Sequence, residues 1–218
     1  MNPIPALAVA SLLSSTPELP ASAAAPALVL VRIRVPWWAP RLLVRRRFVQ
    51  AVPDYARAPG LLRKAFTISE AGEFGGLYLW RSRADADAWF DARWHARVRE
   101  RYGQDADVLV LESAIDLPGP ARADGEDVGH GALRGGAHAL LLAPASGTIP
   151  DPAALARALG SGLLSVTVGT REGRAQAAAL FVSREAARAA LTAGVEAALG
   201  GSVEVTGFEA PVLLRNAP

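Results

Sequence analysis

The chain repeats one pattern. Gly60–Leu61–Leu62 recurs as Gly162–Leu163–Leu164, and Leu79–Trp80–Arg81–Ser82–Arg83 is matched by Leu180–Phe181–Val182–Ser183–Arg184. The matches keep their order, and their spacings differ by one residue, as a hairpin loop one residue shorter in the second copy would require. Two ordered matches within one succession of elements point to a duplicated structural unit.

That succession is readable residue by residue. Residues 28–35, rich in β-branched side chains, predict a strand, and 41–56 carry a helical pattern with Pro53 near its end. Pro59–Gly60 is a turn, 61–69 a strand, 70–73 a glycine-containing hairpin connection and 74–81 its partner strand. Ser82 suits the N-cap of a helix over 83–102, which Gly103 ends, and 107–115 close the unit as a strand. After a Gly-, Asp- and Pro-rich stretch the order returns: strand 137–143, helix 151–159, strands 163–170 and 176–182, helix 184–199 and strand 203–214.

A β-α-β-β-α-β order is the ferredoxin-like pattern, and its sheet has one face without helices that must be buried. The expected fold is therefore α+β: two tandem ferredoxin-like βαββαβ repeats packed as an intrachain dimeric α/β barrel. The expected organisation is a disordered leader over 1–27, a first repeat over 28–116 holding the pocket, a linker over 117–136 and a second, degenerate repeat over 137–218. With strand edges already paired inside one chain, a monomeric pseudo-dimer is expected.

Several classes of function drop away. With no cysteine there are no disulfides, thiolate nucleophiles or cysteine-held metals. His95, His130 and His138 are scattered without metal-ligand spacing, so no metal is expected. The sequence pI is about 9.5 while the formal net charge is only +2, because Lys64 is the one lysine and arginine supplies the remaining positive charge. So small a net charge gives no reason to expect nucleic acid. Residues 1–27 contain no lysine or arginine, so the positive start of a secretory signal is missing; Pro3, Pro5, Pro17 and Pro20 argue against a spanning helix, and the apolar run is too short for one. A cytoplasmic protein without a membrane partner is the expectation. No Walker loop, Rossmann fingerprint or GxSxG elbow is present.

The segment PGLLRKAFTISEAGEFGGLYLWRSRADADAWFDARWHARVRERYG, Pro59 to Gly103, resembles the YdhR-like monooxygenases of the dimeric α/β-barrel superfamily. The resemblance is carried by PGLL, Lys64 and Phe66 before the hairpin, GGLYLW after it and AWF in the following helix. It covers about residues 28–115. Members are usually homodimers, so a chain holding both halves would be a fused version. The resemblance implies oxygenase or isomerase chemistry without a bound cofactor, acting on a small planar aromatic or enolisable molecule.

All five tryptophans and all three tyrosines fall in the first half, where large amphipathic rings suit the lining of a pocket for a planar ligand. A bulkier core would explain them equally well. On the helix over 83–102, Ala86, Phe90, Trp94 and Val98 form one stripe, and Arg97 falls within it, placed to snorkel or to reach an anion. His95 has the pKa of a general base but lies opposite the stripe, and Tyr55 could hydrogen-bond a phenolate or enolate. On the strands Lys64, Phe66 and Ile68 share one face, and Tyr78 and Trp80 share a face of the next strand. The candidate catalytic residues are His95, Tyr55 and Arg97, and the candidate ligand-binding residues are Lys64, Phe66, Tyr78, Trp80, Phe90 and Trp94. The competing reading is a non-catalytic ligand-binding or stress-related protein whose pocket is filled by side chains.

Overall fold

The structure, a computed structural model, describes residues 25–35, 40–121, 132–191 and 194–216. Most of the expected leader and linker, Trp37, Trp38 and His130 lie outside the described residues. In chain order the elements are β1 (Ala27–Arg34), α1 (Arg41–Ala56), β2 (Leu61–Ser69), β3 (Glu73–Trp80), α2 (Arg83–Trp89), α3 (Ala92–Tyr102), β4 (Asp107–Pro118), β5 (Ala132–Pro144), α4 (Pro152–Ala158), β6 (Leu163–Arg171), β7 (Arg174–Phe181), α5 (Arg184–Ala190), α6 (Val195–Ala198) and β8 (Val203–Arg215).

The sheet corrects the expected fold class. All eight strands join one closed antiparallel barrel in the order β1-β3-β2-β8-β5-β7-β6-β4. Two ferredoxin-like repeats with a sheet apiece, packed as an intrachain dimeric α/β barrel, are not what forms. The reason lies in strand length and bulging. β4 runs on to Pro118, bulges between Glu112 and Ile115, and pairs with β6 from Glu112↔Thr170 to Pro118↔Ser165. β8 bulges against β2 between Phe66 and Ile68, and pairs from Arg63↔Arg215 to Ser69↔Phe208. A bulge bends its strand and increases the local twist, which carries each sheet edge onto the strand that closes the ring. Alternation of side chains shows where strands lie and which faces they bury, but not which edges meet.

Inside the barrel, Leu30, Leu77, Leu111, Ala139, Leu180 and Phe208 belong to one apolar core. Arg63 adds a polar contact between the halves. It grips Asp116 with two hydrogen bonds, at 2.7 and 3.1 Å, and Asp116 also accepts a 2.6 Å bond from Thr167. Arg63 comes from β2, Asp116 from β4 and Thr167 from β6, so one bidentate ion pair ties three strands together.

The helices pack on the outside of the barrel. The helix expected over 83–102 is two helices: α2 ends at Trp89 with Phe90 as its C-cap, and Asp91 starts α3 by accepting the Trp94 backbone N–H at 2.7 Å. A carboxylate satisfying the free N–H groups of a new first turn competes well with one continuous helix. The Ala86–Phe90–Trp94–Val98 stripe therefore bends, though Phe90 and Trp94 still meet edge to face at 4.9 Å.

Candidate functional site: an aromatic cavity around Lys64

Antiparallel pairing sets the floor of the site. Lys64 lies beside Tyr78 and Phe66 beside Gly76 in the β2–β3 register. Their outward side chains, with Val31 and Ile33 of β1, face helices α1 and α3. Helix α1 brings Val44, Phe48 and Tyr55 over this floor, and α3 brings Trp94, Val98 and Tyr102. Between helices and sheet lies a cavity of about 710 Å³.

Glycine makes room for it. A Cβ on Gly76 would sit 2.9 Å from the Ala65 carbonyl oxygen and 3.1 Å from both Lys64 Cε and the Tyr78 ring. A Cβ on Gly75 would fall 1.9 Å from the Val31 carbonyl oxygen. This pair of glycines lets the strands approach and leaves a channel for the lysine stem.

Lys64 is the least expected group in this setting. It is 2% exposed, and its Nζ lies 3.0 Å from the Tyr55 ring centroid, 3.8 Å from Phe66 and 4.3 Å from Tyr78. Among the described residues it has neither a hydrogen bond nor an ion pair. Burial pushes its pKa well below the ordinary lysine value, and no neighbouring carboxylate opposes that shift. The three ring faces offer a cation about 0.5–2 kcal/mol each, which returns only part of the several kcal/mol needed to dehydrate an ammonium.

The two tyrosines beside it are proton donors at neutral pH. Burial raises the pKa of Tyr55, and burial and then the neighbouring Tyr55, whose ring centroid lies 5.7 Å away, raise that of Tyr78 well above the ordinary value. Trp89 also lines the cavity, and its buried indole N–H has no hydrogen-bond partner. At the rim stand Arg47, Arg97 and Arg101 with one acid, Asp54.

Of the residues singled out in the sequence, Tyr55, Lys64, Phe66, Tyr78, Trp94 and Arg97 line this cavity together. Trp80 is completely buried behind the wall, with its ring stacked on Tyr78 at 6.4 Å. Phe90 stands in the same second layer, edge-on to Tyr78 at 5.3 Å. His95 does not line the cavity; it packs edge-on against Trp94 at 5.0 Å. The sequence reading missed Phe48, Phe74, Trp89 and Tyr102. Their signal was present, since Phe74 lies on the Tyr78 face of its strand and Tyr102 one turn beyond Val98.

No family model matches the sequence, and no curated protein is detectably similar to it. Solved structures are similar in fold. An anthrone oxidase-like protein aligns with a TM-score of 0.51 at 15% identity, over 88% of this chain and 94% of its own. A "putative monooxygenase" from Lactobacillus acidophilus aligns with 0.51 at 10%, over 88% and 97%. One with the same description from Fusobacterium nucleatum gives 0.57 at 8%, over 88% and 95%. The chain thus shares its fold with proteins described as monooxygenases and as anthrone oxidase-like.

Proposed function

We propose that the protein is a monooxygenase-like enzyme that needs no bound cofactor and oxidises a small planar aromatic or enolisable substrate in the Lys64 cavity. The observation that carries this reading is a buried lysine that makes no ion pair among the described residues, at the floor of an open aromatic chamber. A carrier protein would need the chamber but not the amine, whose burial costs stability. The fold shared with oxygenase-named proteins supports the same reading.

The chemistry follows from the residues. The flat substrate lies among Phe66, Tyr78 and Trp94, whose rings orient it and displace water from its faces. The unprotonated Lys64 amine takes the proton from a phenolic O–H or an activated C–H, and the new ammonium rests against the Tyr55, Phe66 and Tyr78 ring faces. Tyr55 lines the same cavity, and its hydroxyl serves as the donor to the oxyanion that develops on the substrate. The electron-rich carbon then reacts with oxygen. For a methylene substrate the balance is one O₂ consumed, CH₂ converted to C=O, and one water released.

An oxygen electrode tests this with anthrone, naphthols and cyclic 1,3-diketones. Stimulated uptake that falls at least about 100-fold in Lys64→Met is expected, the scale of a lost proton-transfer group. No stimulated uptake with any of these classes, or full uptake in Lys64→Met, overturns the proposal.

A further inference from the structure

We infer that Lys64 is a carbonyl-capturing residue, whose amine condenses with a small aromatic aldehyde or ketone in the cavity to form an imine. This deepens the proposed function by selecting carbonyl compounds as the substrate class, and it depends on that function only for the later reaction with oxygen.

The first ground is selection of residue type. The protein carries its positive side chains as arginine everywhere except at Lys64. Arginine, charged at all relevant pH values, cannot serve as an amine nucleophile, whereas lysine can once burial removes its proton. The single lysine is also the buried amine of the cavity floor.

Geometry supplies the second ground. The stem rises from the middle of a strand and passes over Gly76, so Nζ is held by the barrel and not by a mobile loop. Ring faces surround the nitrogen, and among the described residues no hydrogen-bond donor occupies its lone pair. In condensation the Nζ lone pair attacks the carbonyl carbon and a C–N bond forms. The carbonyl oxygen collects two protons and leaves as water, giving R₂C=N–Lys64 from R₂C=O and H₂N–Lys64. Tyr55 lines the same chamber, and its hydroxyl is the donor for that departing oxygen. A protonated imine is itself a cation and is favoured by the same ring faces. Where the captured ketone carries an α C–H, as 2-tetralone does, the protonated imine acidifies it, and loss of that proton gives the enamine whose electron-rich carbon the oxygen step requires; an aromatic aldehyde stops at the imine.

Reductive trapping tests the inference on the full chain. The protein is incubated at pH 7 with 2-naphthaldehyde or 2-tetralone and sodium cyanoborohydride, then read by intact mass and peptide mapping. One adduct at Lys64, absent from Lys64→Met, is expected. Arg93→Lys places an exposed lysine on α3 as an internal reference, and Lys64 should be labelled at least ten-fold faster than it. Labelling of the reference at an equal or greater rate, or no Lys64 adduct under conditions where either compound raises Tm, overturns the inference. The two proposals separate cleanly. Oxygen uptake without an adduct removes the imine and leaves the oxygenase, whereas an adduct without oxygen uptake keeps the imine and removes the oxygenase.

Discussion

The barrel has two outer faces built on equivalent register, and they are packed in opposite ways. In the first half Lys64 is paired with Tyr78 and Phe66 with Gly76. In the second half the corresponding pairs are Val166 with Ala179 and Val168 with Ala177. Small side chains let α4 and α5 settle directly on the strands, and Leu155, Leu163, Val166, Ala179 and Phe181 are all completely buried. Rings and a lysine hold α1 and α3 away from the strands, and a chamber of about 710 Å³ is left beneath them. Large residues do not guarantee a solid core. Rings meeting edge to face at fixed angles leave space between them, whereas Ala and Val against short helices close it.

The strongest challenge to this comparison is to move the lysine. Val166→Lys would place an ammonium in the solid face, with neither ring cage nor cavity to receive it. Burying an unpaired charge and overfilling a packed site together should cost about 4 kcal/mol or more. Urea denaturation would detect that loss; a cost below about 1 kcal/mol would show the second face to be as hollow as the first.

Removing the lysine from its own site should do the reverse. Lys64→Met keeps the volume and deletes the buried amine, so it should stabilise the protein by about 2 kcal/mol at pH 7, or roughly 4–8 °C in Tm. The pH dependence fixes the cause. Because the Lys64 pKa is lowered on folding, the unfolded chain binds the extra proton between the folded value and about 10.4, so wild-type stability rises with pH through that window. The advantage of Lys64→Met should therefore shrink as pH climbs towards 10. An advantage constant with pH would attribute the gain to packing and not to the amine.

Much of this organisation was legible in the sequence, and the omissions have physical reasons. Period-two alternation put Lys64 with Phe66 and Tyr78 with Trp80 on shared faces, because pleating fixes that whatever the neighbouring strand, but it did not say which face meets the helices. Closure of the barrel was not legible, since it depends on bulges at Glu112/Ile115 and Phe66/Ile68 that no residue pattern announces. The break at Phe90–Asp91 had a signal in Asp91, a good N-cap residue, but the apolar stripe running across it argued for one helix. Depth was the other omission. Trp80 and Phe90 share the site's face yet stand behind its wall, a difference that periodicity does not encode.

A gentler probe exchanges the glycine that makes room for the lysine. Gly76→Ala puts a methyl within 3.1 Å of Lys64 Cε and the Tyr78 ring and 2.9 Å from the Ala65 carbonyl oxygen. A destabilisation of about 1–3 kcal/mol is expected from overpacking. Ala177→Gly at the corresponding position should cost about 1 kcal/mol, from lost burial and a looser strand. Only the first should disturb imine trapping, which separates damage to the cavity from damage to the sheet.

The smallest effect concerns charge at the rim. In the second half Arg157, Arg171 and Arg184 each face a carboxylate. Among the described residues Arg47, Arg97 and Arg101 make no ion pair, although all three line the mouth of the cavity. Exposed guanidiniums act weakly on a passing anion, by about 0.2–1 kcal/mol in water. Arg97→Ala should then weaken binding of 2-naphthoate about three-fold, leave 2-naphthaldehyde unchanged, and lose even the first effect in 0.5 M salt. His95→Ala, which alters a residue outside the cavity, should change neither ligand. Equal weakening of both ligands by Arg97→Ala would show that its stem packs against the ring system, and that the rim selects for shape and not for charge.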